Sequence, residues 1–415
     1  MPRSTNPATK KTALLIAKQW PEPASTAAGR RTLDILDLLN EAGYRIEMGS
    51  PAQPTPFQAT TGYGEHQIAV NDSRFDDWVR ALDPSLVIYD RFMMEEQFGW
   101  RVRAQCPQAV TVLDTSDFHS LREARHQALK SGQPVNLFNA SAEREIAAMA
   151  RCDLILMISQ VEVDLLKTHF GLPGWQLHYL PFLIREFPQP TATPGFAERR
   201  HLAMIGGFKH APNRDAVAWL AEAIWPALRP LLPGVECHVY GAYADHAMQR
   251  FHNPKSGLRI IGRTDDALAT LSQYRLNLAP LRFGAGQKGK ILDGWLSGTP
   301  TITTPVGAES MAPADAWGYP LTDDPGPYAD IAARIYQSEP QWQAVREAGT
   351  QALVEGFSYA QHAQAFVERL NAIAADLHAH RNRNIWGRIL QRTEHRAEEF
   401  MSRWIEAKNS RPDAS

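Results

Sequence analysis

Three glycines and two lysines in RFGAGQKGKILDGWLSGTP (282–300) are the residues whose types and spacing point most directly to chemistry. Gly284, Gly286 and Gly289 spell G-x-G-x-x-G, the spacing of a dinucleotide-binding loop. The same residues make a Walker A loop up to Ile291, which stands where a Ser or Thr is required. Glu309 lies about twenty residues on, where a ribose-binding carboxylate is sought. All these readings share one piece of physics. Glycines let the backbone approach a ligand, and the helix expected over KILDGWLSG aims free N–H groups and a positive dipole end at it. Lys288 and Lys290 add cationic side chains, which makes this a site for phosphates. Asp293, one turn into the helix, is placed to accept hydrogen bonds from a neighbouring diol. Ile291, Leu292, Trp295 and Leu296 read as the buried face, and Gly298 as the left-handed residue after the helix.

The elements that must position this loop read as βαβ grammar from end to end. TALLIA (12–17), YRIEMGS (44–50), SLVIYD (85–90), AVTVLD (109–114) and CDLILMIS (152–159) are expected strands, with helices at 29–43 and through VEVDLLKTHFG. Residues 181–200, rich in proline and without apolar periodicity, read as a linker. The grammar restarts with HLAMIGG, ECHVYG, LRIIG, RLNLAP and TITTP. The expectation is α/β: two doubly wound parallel-sheet units facing a cleft, divided at 1–190 and 191–356, with helices over 357–415. Those last helices carry Trp386 and Trp404 and more basic than acidic residues. They read as a helix pair packed across both domains or as a basic amphipathic contact with a membrane surface.

Position decides between the loop chemistries. A dinucleotide loop belongs to the first βα turn of its domain, whereas these glycines follow the fourth strand of the second unit. Glu309 stands beyond Pro305 and Gly307 and ends no strand. Without a hydroxyl after Lys290, the Walker reading lacks its Mg²⁺ ligand. The formal net charge of −2 argues against a general nucleic-acid binder. Cys106, Cys152 and Cys237 form no C-x-x-C, so neither a zinc framework nor a disulfide scaffold is supported. A reducing, cytoplasmic setting is expected, and ALLIA near the start is too short for a signal-peptide core.

FGAGQKGKILDGWLSGTPTITTPVGAE resembles the donor-binding segment of glycosyltransferase family 4, which has the GT-B fold of two Rossmann-like domains. TALLIAKQWPEPASTAAGRR, CDLILMISQVEVDLL and IGGFKHAPNRDAVAWL are similar to the family's opening strand and loop, the end of its first domain and the start of its second. The resemblance implies transfer of a sugar from a nucleotide diphosphate to an acceptor hydroxyl. It generally implies retention of configuration, no bound metal and no cofactor beyond the nucleotide-sugar substrate, expected to be UDP- or GDP-linked. The acceptor is open among glycans, lipid-linked sugars, proteins and small molecules. Two glutamates that face the donor in the family fall here on Ala285 and Asp293, and its arginine and lysine fall near Gly207 and Asn213. Neutralising the leaving diphosphate is therefore left to Lys209, Arg214, Lys288 or Lys290, the last two preferred because helix and loop already aim there.

Donor contacts are expected at Gly29, Arg30, Lys209, Gly284, Gly286 and Asp293, with Lys288, Lys290 and His119 as catalytic groups and no metal ligand. Gly29 and Arg30 also read as a plain helix start. His119, in TVLDTSDFHSLREARH, is placed to orient the sugar or the acceptor hydroxyl, or else to cap a helix or face solvent. Asp114 and Asp117 read as helix caps, Asp117 the better of the two. YDRFMMEEQFGW (89–100) is a second stretch beside the acceptor groove, its Met and Phe residues serving packing. A nucleotide-sugar epimerase, a phosphorylase on the same fold and a degenerate nucleotide-sugar binding protein stand as alternatives.

Overall fold

The computed structural model describes residues 10–188 and 193–410. Strands of unbroken apolar character can be stable only when both faces are covered, and that sets the architecture. β1 (Thr12–Ile16), β4 (Leu86–Asp90), β5 (Val110–Asp114) and β6 (Leu154–Met157) are buried along their whole length. With β2 (Arg45–Ser50), β3 (Gly64–Gln67) and β7 (Leu177–Tyr179) they form a parallel sheet in the order β3-β2-β1-β4-β5-β6-β7. The edge strand β3 is half-exposed, as an edge permits, and neither it nor three-residue β7 was among the expected strands.

Alternate residues of each strand serve opposite faces. Leu14, Ile16, Val87, Leu113 and Ile155 pack on one side, among helices that include α3 (Phe92–Gln105) and α6 (Gln160–His169). Leu15, Ile88, Val112 and Leu154 pack on the other with Ile35, Leu36 and Leu39 of α1 (Ala27–Glu41). Between these helices in sequence come α2 (Arg74–Leu82), α4 (His119–Ser131) and α5 (Ala140–Arg151).

The second sheet is also parallel, in the order β10-β9-β8-β11-β12. Its strands are β8 (Arg200–Ile205), β9 (Cys237–Tyr240), β10 (Leu258–Gly262), β11 (Tyr274–Ala279) and β12 (Thr301–Thr303). Every expected strand is present. The expected domain boundary at 190/191 lies outside the described residues.

The C-terminal helices are not laid across both domains. Helix Tyr359–Ala375 returns to the first domain, where Ala363, Phe366, Leu370 and Ile373 complete the face built by α1. The C-terminal helix, Ile385–Asn409, packs on α3 and α5. The outgoing and returning chains meet at one bridge, where Ile184 N–H donates to Phe357 O (2.7 Å) and Tyr359 N–H to Ile184 O (2.9 Å). A first domain that must finish its core with a distant segment explains why the tail comes back.

Candidate donor cleft

In an open parallel sheet, ligands bind at the carboxyl edge where the strand order reverses. In the first sheet that point lies between β1 and β4, and Lys18 and Arg91 follow those strands. In the second it lies between β8 and β11, which lead into the loop carrying Lys209 and His210 and into the glycine loop. Left-handed backbone at non-glycine residues gathers here. Arg91 (φ 71°) and Ser116 (φ 59°) follow β4 and β5, and Tyr243 (φ 64°) and Ser310 (φ 63°) follow β9 and β12. Such conformations cost about 1–3 kcal/mol each and cluster at functional sites.

The glycine loop leads into the helix Gly289–Leu296, as expected, and Gly298 is left-handed just after it (φ 62°). What its glycines approach is the first domain. A Cβ on Gly286 (φ 65°) would stand 2.9 Å from Cβ of Asp117, and one on Gly289 would stand 2.4 Å from Cβ of Ala27. Gly286 N–H donates to Oε1 of Glu162 at 2.5 Å, so a carboxyl oxygen occupies the seat expected for a phosphate oxygen. Burial, followed by the charge of Asp117, pushes the Glu162 carboxyl above its ordinary range. Gly284 O accepts from Arg125 (2.8 Å), whose guanidinium also clamps both oxygens of Glu309 (2.6 and 2.8 Å). Glu309 is thus an interdomain ion partner rather than the end of a strand.

The structure separates the two lysines of the loop. Lys288 is buried, with Nζ donating to Gly286 O (2.7 Å) and Glu309 O (3.1 Å). Its ammonium thereby supplies a donor to two loop carbonyls. Burial lowers its pKa. Lys290 is partly exposed, and its ammonium makes no ion pair or hydrogen bond among the described residues. Burial and then the charge of Lys288 bring its pKa down to about 8.

Asp293 is likewise no surface residue. It is buried beside Arg30 of the first domain, with Nη2 to Oδ1 at 2.8 Å. Burial outweighs that partner and raises its carboxyl above the usual range. Lys209 is exposed, its ammonium 3.5 Å from the centre of the Tyr243 ring. The Tyr243 hydroxyl in turn donates to Glu22 of the first domain (3.1 Å). Arg214 is committed to Asp245 (2.7 Å).

On the first-domain side, Gly29 donates to its N-cap Thr26 (3.0 Å), and a Cβ there would strike the backbone N of Glu22 at 2.6 Å. Arg30 faces the cleft. Its neighbour Arg31 is buried and grips Asp114 (Nη2 to Oδ1 2.7 Å), so Asp114 is an ion partner and caps nothing. Asp117 is not a cap either. It pairs with Arg122 and abuts Gly286, while α4 is capped by Glu145, which accepts from the N–H of His119 (3.1 Å) and Ser120 (2.9 Å). Burial opposes ionisation of Asp117, but His119, Arg122 and His210 outweigh it and hold the carboxyl low. His119 itself is buried against the edge of Phe92, and Nδ1 donates to Asp117 O (3.1 Å). A carbonyl can only accept, so the proton sits on Nδ1.

The structure therefore joins Arg30 to Asp293, and Gly286 to Asp117 beside His119, while Lys209 reaches the first domain through Tyr243. Sequence reasoning missed Glu162, Arg125, Lys18, Arg91, Arg122 and His210. The spacing Ser159-x-x-Glu162 is a capping-box pattern that marks a helix start, and Lys18 and Arg91 carry the signal of following a strand end. Arg125 carries none. His210 keeps an exposed side chain at the cleft, where desolvation and then the charge of Arg122 lower its pKa and Asp117 opposes them.

Residues 199–338 match the protein-family model described as "Glycosyl transferases group 1". Among solved structures, the sucrose-phosphate synthase of Thermosynechococcus elongatus is similar over 88% of this chain and 100% of its own, with TM-score 0.66 and 15% identity. Anabaena Alr3699/HepE in complex with UDP and glucose is similar over 88% and 100%, with TM-score 0.63 and 13% identity. WaaG, a glycosyltransferase involved in lipopolysaccharide biosynthesis, is similar over 86% and 99%, with TM-score 0.62 and 13% identity. A search of curated proteins found no match. At these identities the structural likeness is one of fold, and that fold is GT-B, as the sequence resemblance implied.

Proposed function

We propose that this GT-B glycosyltransferase is a family 4 enzyme that moves a sugar from a nucleotide diphosphate to an acceptor hydroxyl, with retention and without a bound metal. The observation that carries the reading is the seat at Gly286, where a backbone N–H of the glycine loop ahead of the helix already donates to a carboxyl oxygen. In the proposal the donor's diphosphate replaces Glu162 there. Lys290 supplies the mobile charge as the C1–O bond to the diphosphate breaks and charge grows on the leaving oxygen. Lys288 holds the loop in shape. Asp293 exchanges Arg30 for the ribose hydroxyls. The acceptor oxygen bonds to C1 from the first-domain side, and its proton passes to the departing phosphate oxygen. His119, anchored through Nδ1, offers Nε2 to the sugar or the acceptor. A cytoplasmic setting belongs to the same proposal.

The test is a thermal-shift screen over UDP-, GDP- and ADP-sugars, followed by measurement of nucleoside diphosphate release. The proposal expects one donor to raise the midpoint and to release its diphosphate slowly in water and faster with an acceptor. Binding without release would make the chain a binding protein. Conversion of the sugar nucleotide without release would make it an epimerase. A strict requirement for orthophosphate would make it a phosphorylase.

A further inference from the structure

The C-terminal helix Ile385–Asn409 is amphipathic in the reverse sense to an ordinary surface helix, which buries its apolar stripe. Its inward face is polar. Glu394 pairs with Arg151, His395 Nε2 lies 3.0 Å from Glu95 Oε1, and Ser402 Oγ accepts from Arg101 (3.0 Å). Gln391 donates to Arg151 O (2.8 Å), and Glu406 accepts from Ser73 N–H (2.9 Å). Its outward face is apolar. Trp386 is 71% exposed, Phe400 69%, Trp404 60% and Ile389 44%. At 3.6 residues per turn these four fall within an arc of roughly 60°, and the two tryptophans are about 27 Å apart along the axis.

Charge is sorted in the same way. Glu394, Glu398 and Glu406 turn towards Arg151 and Arg101. Arg388, Arg392, Arg396 and Arg403 are exposed, in a row beside the aromatic stripe. Glu399, paired with Arg403 (2.7 Å), is the acid near that row. Arg392 and Arg396 have no ion pair among the described residues.

We propose that this outward face lies flat on an anionic lipid bilayer, with Trp386, Ile389, Phe400 and Trp404 in the interfacial layer and the arginine row on headgroup phosphates. A tryptophan–phenylalanine stripe flanked by arginines matches that environment in both polarity and charge. No helix among the described residues is long and apolar enough to cross a membrane, so this contact rests on the surface. Pairing with a second copy across a two-fold axis would bring two arginine rows to one interface, where like charges oppose association. Because the helix is seated on α3 and α5, the bilayer would lie on that side of the first domain. The inference does not depend on the transfer reaction.

The test is co-sedimentation of the full-length protein with vesicles of pure phosphatidylcholine and of phosphatidylcholine mixed with phosphatidylglycerol. At low salt the mixed vesicles should bind at least about tenfold more protein, and the difference should shrink as salt screens the charges. Trp386→Ser/Phe400→Ser/Trp404→Ser should abolish binding with an unchanged melting midpoint, since all three side chains are exposed. Arg392→Glu/Arg396→Glu should weaken binding about tenfold or more, whereas the double lysine replacement should retain it. Wild-type protein that stays in the supernatant with mixed vesicles, or a triple variant that sediments as well as wild type, would overturn the proposal. So would a concentration-dependent dimer that the triple variant abolishes, because the face would then be a contact between copies.

Discussion

Two buried polar seams hold this molecule together, and their charges behave in opposite ways. Where the C-terminal helix meets α3 and α5, Glu95 is fully buried yet its carboxyl is held down at about 2. Burial works against it, but Arg151 (Nη2 to Oε2 2.5 Å) and His395 outweigh that cost. Across the cleft, Asp117 and Glu309 are held low by cationic neighbours, but at four other groups burial wins. Glu162 and Asp293 are pushed up and Lys288 and Lys290 down, despite neighbours of opposite charge. At Glu95 the first seam is compensated and serves as a fixed joint, while burial raises the carboxyl of Glu398 at its rim to about 8. The second holds charges that a better partner can claim, which suits a seam that must part for a substrate. Partners of equal chemistry make different interfaces according to how completely they satisfy one another.

The largest expected effect lies in the fixed joint. Arg151→Met leaves Glu95 buried with His395 as its one remaining ion partner among the described residues, and losing one member of a buried pair typically costs about 3–5 kcal/mol. Denaturant unfolding reads this directly, and a loss under about 1 kcal/mol would erase the contrast between the seams.

Next comes the separation of the two lysines. Lys290→Ala should lower turnover by about 10²–10³ with little change in stability, the scale of losing one preorganised charge stabiliser. Lys288→Ala should instead destabilise the fold by about 1–3 kcal/mol, because two loop carbonyls lose their donor. Unfolding curves and donor kinetics on both variants decide it, and a stability loss confined to Lys290→Ala would reverse the assignment.

Asp293→Asn should weaken donor binding by about 10- to 100-fold, since hydrogen bonds to charged groups contribute roughly 1.5–3 kcal/mol and 1.4 kcal/mol is tenfold. Calorimetric titration with the best donor tests this. Asp293→Glu should bind as well as wild type or better if the carboxylate reaches the ribose, and equal affinity for the Asn variant would leave Arg30 as its purpose.

The smallest effects are in pH. Glu162 is protonated more readily folded than unfolded, so its contribution is full below the ordinary carboxylate range and is lost as pH rises towards its raised folded value. Glu162→Gln, neutral throughout, should remove that downward slope from the stability–pH curve. Glu95 has the opposite sign: its contribution is present above about 4.3 and lost as pH falls towards about 2. In kinetics, Lys290 loses its charge above about 8, so kcat/KM should fall there, and Lys290→Arg should extend the plateau.

The sequence by itself determined the two sheets, because strands buried on both faces must be written as apolar runs. Only β3 (GEHQ) and β7 (LHY), polar and partly exposed at the two edges of the first sheet, do not carry that pattern. It also determined the glycine-loop helix, its start and its left-handed stop, since spacing within one turn is local. What the loop touches was decided by tertiary structure. Gly286 and Glu162 are 124 residues apart, and Arg125 and Glu309 are 184 apart. No local pattern pairs such residues; the meeting of two carboxyl edges does. The same cause tied Lys288 to backbone and left the Lys290 ammonium with no hydrogen bond or ion pair among the described residues, although the two stand two residues apart on one motif. It also turned the tail's acids inward and its tryptophans outward. Helical spacing places residues on a face, and only the neighbouring surface, here Arg101 and Arg151, decides which face is buried.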